Sequence, residues 1–183
     1  MAIIYKSRLL RFDTEKFLAK AQPQEGFLFP DTYYFLPNAD EDTVINTMRA
    51  GFDEKMLPYA QKIASSSHSL HDIITLASII EREASRSDDR HMIAGVLYNR
   101  LAINMPLQVD VTFLYIMGKN TFQLTLADLR SDNPYNTYVH KGLPPGPIGS
   151  PSLDSIDAAL NPEKHKYIFY LADNGGTTHY SRT

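Results

Sequence analysis

The sequence predicts an α+β fold: a helix-rich domain with a small antiparallel β part that includes a C-terminal hairpin. Three observations predict it. Ser69 to Ala84 carries Ile73, Ala77, Ile80 and Ala84 at helical spacing, and Ser69 with Asp72 forms a capping-box signature ahead of them. Two more stretches, from Asp40 to about Met56 and after Asp89, repeat apolar residues every three or four positions. Near the end, Lys166-Tyr-Ile-Phe-Tyr-Leu-Ala172 and Thr177-Thr-His-Tyr-Ser181 flank Asp173-Asn-Gly-Gly, the pattern of a β-hairpin.

The elements follow in order. An apolar start is strand-like, and a short helix runs from about Asp13 to Ala21. Glu25-Gly-Phe-Leu-Phe-Pro-Asp-Thr-Tyr-Tyr-Phe-Leu-Pro37 predicts short strands around a Pro30-Asp31 turn. Val44, Met48, Phe52 and Met56 mark the Asp40 helix, which Gly51 weakens by about 1 kcal/mol relative to alanine. Polar Ser65 to His68 links it to the Ser69 helix, whose polar face is marked by Thr75, Ser78 and Arg82. The next helix carries Met92, Ile93, Val96, Leu97 and Leu101 on one face, with Asn99 and Arg100 near its end. Leu107 to Thr112 alternates like a strand, placing Gln108 and Asp110 on one side. Met117 to Asn120 is a turn, and Thr125 caps a short helix with Asp128. Residues 131–151, rich in proline yet holding Tyr135, Asn136, Tyr138 and Ile148, read as a structured binding loop. Ser150-Pro-Ser152 opens a helix that Asn161-Pro162 closes.

Composition narrows the chemistry. The 183 residues are 43% apolar, enough for one good core or two small ones. A net charge of −3 leaves no basic footprint for nucleic acid, and the absence of cysteine excludes thiolate ligands, catalytic thiols and disulfides. No phosphate-binding glycine motif, nucleophile elbow or paired-histidine zinc motif occurs. Of the six histidines only His68 and His71 have ligand-like spacing, so neither metal nor cofactor is expected. What remains is carboxylates, polar loop residues and, without tryptophan, tyrosines as stacking platforms.

Glu81 and Glu83 stand out because both lie at the margin of an apolar stripe. A partly desolvated carboxyl there favours its neutral form and can donate a proton. The competing reading makes both of them rim residues paired with Arg82, Arg86 or Arg90. They point roughly 160° apart on a helix, so at most one is the working acid. Arg100 either neutralises a substrate carboxylate or compensates a helix dipole. His179 on the hairpin either touches the site or is structural.

A resemblance sharpens this. Glu25-Gly-Phe-Leu-Phe-Pro-Asp-Thr-Tyr33, Leu76-Ala-Ser-Ile-Ile-Glu-Arg-Glu83, Val96-Leu-Tyr-Asn-Arg-Leu101, Leu107-Gln-Val-Asp-Val-Thr112, Pro134-Tyr-Asn-Thr-Tyr138 and Gly142-Leu-Pro-Pro-Gly-Pro-Ile148 occur in this order, followed by the hairpin. Together they resemble the YceG-like family, the MltG-type endolytic murein transglycosylases. The resemblance implies cleavage of peptidoglycan between N-acetylmuramic acid and N-acetylglucosamine, leaving 1,6-anhydro ends. It assigns the acid to Glu83, with Glu81, Gln108 and Asp110 supporting. Tyr135, Asn136, Tyr138, Arg100 and His179 are then substrate-binding candidates, though Asn136 and the tyrosines can equally pin the loop.

Departures are the Gly149-Ser-Pro-Ser152 sequence where the family commonly has Asn-Pro-Gly, and the stop at Thr183 before a Glu-His-Asn tail. The resemblance divides the chain into residues 1–24, a remnant of a LysM-like or linker region, and a catalytic domain at 25–183. It implies glycan strands and cell-wall synthesis proteins as partners. The chain itself is expected to be soluble, and its parent anchored on the outer face of the bacterial membrane. The rivals are a non-catalytic peptidoglycan-binding or assembly module and a pyridoxal-phosphate lyase, for which neither a Schiff-base lysine nor a phosphate cup is evident.

Overall fold

The computed structural model describes residues 9–84, 86–173 and 175–183, so the apolar start lies outside the described residues. Asp13 accepts the N–H groups of Glu15 and Lys16 and caps α1 (Thr14–Ala21), which a 3-10 turn at Gln22–Gln24 follows. Asp40 caps α2 (Glu41–Met56) in the same way. A 3-10 turn at Leu57–Tyr59 and α3 (Ala60–Ser65), which the sequence pattern did not signal, lead to α4 (Leu70–Glu83). The capping box of Ser69 and Asp72 is formed as expected. Then come α5 (Ser87–Ala102), α6 (Val111–Met117), a 3-10 turn at Thr121–Gln123, α7 (Leu126–Leu129) and α8 (Leu153–Leu160). The chain ends in the hairpin of β1 (Phe169–Ala172) and β2 (Thr178–Ser181), antiparallel, with Tyr170 opposite Tyr180 and Leu171 opposite His179.

Helix α4 is the hub, packed against α8, α5 and α6. Ile73, Ile74, Leu76, Ala77, Ile79 and Ile80 are all fully buried in the main core. So are Thr75 and Ser78, which corrects the expected polar face. Their hydroxyls are satisfied internally: Thr75 donates to the His71 carbonyl, while Ser78 donates to the Thr75 carbonyl and accepts the Ile148 N–H at 3.0 Å. A smaller core joins Phe12 and Phe17 to Leu28, Val44, Ile45 and Met48.

Two expected strand regions are irregular. Residues 25–37 hold Leu28 and Phe29 inward, yet the Phe29 N–H bonds to the Met48 carbonyl of α2, not to a neighbouring strand. β-rich composition reflects fit to a paired surface, and among the described residues no strand lies alongside. Between Leu107 and Asp110 the alternation survives as burial: Leu107 and Val109 are buried on either side of exposed Gln108. Their partner is one loop residue, Thr137, whose carbonyl and hydroxyl take the Gln108 and Val109 N–H groups at 3.0 Å each. Gln108 has a φ of +48°, so this segment turns into α6 instead of continuing as a strand.

Gly95 in α5 is required by close approach. A Cβ there would meet the Glu163 carbonyl at 2.3 Å, and only its absence lets the chain leading to β1 lie across α5. The end of the 131–151 loop runs along α4, with Gly146 beside His71, Ile148 on Ser78 and Gly149 beside Arg82. Among the described residues, no helix is long and apolar enough to cross a membrane.

Candidate active site

The last turn of α4 turns its two glutamates to different neighbours. Glu81 Oε2 accepts the Ser152 N–H at 3.1 Å, the Ser152 hydroxyl at 2.5 Å and the Ser155 hydroxyl at 2.6 Å. Arg90, itself paired with Asp154, lies 3.7 Å from its other oxygen. Burial pushes this carboxyl up, but the serine donors and Arg90 outweigh it and hold Glu81 below the ordinary range. It is an ionised anchor at the start of α8, with Arg90 as its cation.

Glu83 is half-buried and accepts the Tyr170 hydroxyl at 2.8 Å. Burial pushes its carboxyl up, and the nearby Asp110 charge adds to this. The Tyr170 hydrogen bond and the Arg100 charge pull the other way without cancelling the rise. Two carboxyls two residues apart are thus driven in opposite directions, the pattern that separates a proton donor from a permanent anion.

Asp110 stands at the start of α6, half-buried, and accepts the Tyr138 hydroxyl at 2.5 Å. Burial first, and then Asp110, raise the Tyr138 phenol; burial and Glu83 raise that of Tyr170 well above its ordinary value. Both remain neutral donors. Arg100 is buried with its Nε on the Ile168 carbonyl at 2.6 Å and its Nη1 on the Leu107 carbonyl at 2.5 Å. It thereby clips together the segments leading to Tyr170 and to Asp110. With its donors on main-chain oxygens, it contributes charge and position to the site.

The other candidates fall in different places. Gln108 is exposed, two residues before Asp110. Tyr135 is half-buried against Tyr115, ring centres 5.1 Å apart, and the Tyr115 hydroxyl bonds Glu25 at 2.7 Å. Asn136 departs from the substrate-binding assignment. It is fully buried, its amide donating to the Leu129 and Ser131 carbonyls and its oxygen taking the Tyr138 N–H, so it pins the loop. His179 departs too. Neighbouring strand residues face opposite sides, so the pair Leu171 and His179 lies on the face away from Tyr170, and His179 bonds Asp173 at 2.8 Å.

His68 packs on Tyr98 and His71 on Phe27, and among the described residues no cluster of three or more His, Asp or Glu is placed to hold a metal. Tyr170 escaped sequence reasoning, because one tyrosine in a hairpin carries no signal. Its only hint is the period of two that puts it on one face with Tyr180, whose hydroxyl reaches Asp89 of α5.

Comparison with known proteins agrees with this architecture. Residues 4–183 match the family model described as the YceG-like family. The chain is 41% identical over 162 residues to a Bacillus subtilis protein named endolytic murein transglycosylase, covering 88% of this chain and 45% of that protein. A Streptococcus pneumoniae protein of the same name is 40% identical over 154 residues, which are 81% of this chain and 28% of that protein. The chain thus spans less than half the length of these curated relatives. A crystal structure of a YceG-like protein from Listeria monocytogenes superposes with a TM-score of 0.79 at 38% identity, covering 93% of this chain and 62% of that one. The chain therefore belongs to the YceG-like family.

Proposed function

We propose that this chain is the catalytic part of an endolytic murein transglycosylase, with Glu83 as its single acid and base. The observation that carries the reading is the raised, half-buried Glu83 carboxyl set beside Asp110 and two neutral phenols, while Glu81 is tied into structure. The names of the relatives point the same way.

In this reading the bond cleaved joins N-acetylmuramic acid to N-acetylglucosamine by a β-1,4 linkage. Neutral Glu83 gives its proton to the glycosidic oxygen as the C1–O bond breaks and positive charge spreads over the muramic C1 and ring oxygen. The Asp110 carboxylate, steadied by Tyr138, offsets that charge. The Glu83 carboxylate then takes the proton of the same sugar's C6 hydroxyl, whose oxygen closes on C1 to give the 1,6-anhydro end. No water is consumed. The whole protein would act where glycan strands lie, outside the membrane, alongside cell-wall synthesis proteins.

One observation favours a second reading. Asp110 is close enough to Glu83 to raise it, and a second carboxylate is what a hydrolase needs to direct water at C1. Digesting purified glycan strands with the wild type and with Glu83→Gln, and weighing the products, decides among the readings. Anhydro-ended fragments from the wild type alone uphold the proposal. Products heavier by one water make the enzyme a hydrolase, and retained binding without cleavage makes it a binding module.

A further inference from the structure

The Glu25 carboxylate sits outside the site just described, and among the described residues it forms no ion pair. Its Oε2 takes the Tyr115 hydroxyl at 2.7 Å, and the Tyr115 ring leans on that of Tyr135 with centres 5.1 Å apart. All three side chains belong to half-buried residues, so the cluster reaches solvent. Gly146 lies at its Tyr135 end: a Cβ there would be 3.4 Å from the Tyr135 hydroxyl and 3.6 Å from His71 Nε2. Among the described residues no Lys, Arg or His forms an ion pair with Glu25, whereas Asp31, Glu81, Asp128 and Asp154 each have one. A half-buried carboxylate that accepts a tyrosine hydroxyl beside a second tyrosine, and has no ion pair among the described residues, has the makings of an ammonium site, since carboxylate and aromatic groups attract the same cation.

We propose that Glu25, Tyr115 and Tyr135 bind a primary ammonium group. Given the transglycosylase reading, on which the identity of the ligand rests, that group is the free side-chain amine of the diamino acid in the peptide stem. The Tyr135 end of the cluster lies beside His71 near the start of α4, whereas Glu83 is at the end of that helix, about 18 Å along it. An amine already spent in a crosslink is no longer an ammonium, so strands with free stem amines become the preferred substrate.

The test measures binding, with no cleavage required. A muramyl tripeptide with lysine in third place, and the same compound with its ε-amine acetylated, are titrated into Glu83→Gln protein by calorimetry. The free amine is expected to bind about tenfold tighter, with the difference shrinking at high salt and vanishing in Glu25→Gln. Tyr115→Phe, which keeps the ring, guards against a folding defect in the glutamate variant and should weaken the preference in part. Equal affinity for the two compounds on folded protein overturns the proposal and leaves Glu25 as a strut for Tyr115. Amine preference without any glycan cleavage by the wild type would instead refute the transglycosylase reading while this site stands.

Discussion

Glu83 has to resist ionisation in order to serve as an acid near neutral pH, and that demand acts against folding. Its folded pKa lies above the unfolded one, so the native state holds the proton across the interval between them. The native state is accordingly unpenalised at low pH and loses stability as pH rises from the ordinary carboxyl range through the raised value. Glu83→Gln removes the penalty. Its melting temperature should match the wild type below about pH 4 and exceed it at pH 8, by roughly 2–4 °C for each kcal/mol released. Glu81→Ala should do the reverse, costing about 1–3 kcal/mol in urea unfolding by stranding the Ser152 and Ser155 donors, with activity retained wherever the fold survives. Tyr170→Phe removes a donor that favours the Glu83 anion. Activity falls as the acid loses its proton, so this variant's loss of kcat/KM on the alkaline side should move to higher pH.

At the level of elements, local grammar and tertiary circumstance divide the credit. α4 is legible from Ser69, Asp72 and the isoleucine spacing because capping and amphipathic periodicity are properties of consecutive residues. The buried Thr75 and Ser78 are not, since small hydroxyls look polar until their own helix satisfies them. Leu107 to Asp110 mimicked a strand because inward Leu107 and Val109 generate the same period of two, and nothing local reveals that the Gln108 and Val109 N–H groups are taken by the loop residue Thr137 in place of a strand. The acid was foreseeable on its helix, whereas Tyr170, more than eighty residues away in sequence, is placed by the hairpin register and by Arg100. Gly95 shows how a small residue governs that placement. Gly95→Ala sets a methyl against the Glu163 carbonyl backbone, and should shift thermal unfolding downward and lower activity together, because the segment carrying the hairpin is pushed off α5.

Across the whole molecule, α4 collects the core around itself and carries Glu83 out of it in its last turn. The hairpin stands apart from that arrangement. Phe169, Leu171 and Ala172 are exposed, Tyr170 and Tyr180 lie at the core margin, and its polar moorings are Tyr170 on Glu83 and Tyr180 on Asp89. A chain ended after Ile168 keeps the Arg100 clip and nearly all the buried apolar surface, so it should retain its helical circular dichroism and a cooperative melt, yet release no glycan fragments. Integrity and competence are therefore separable here. A preparation clipped by a protease at the hairpin would pass every routine check of foldedness while its acid, newly hydrated, had become an ordinary surface glutamate.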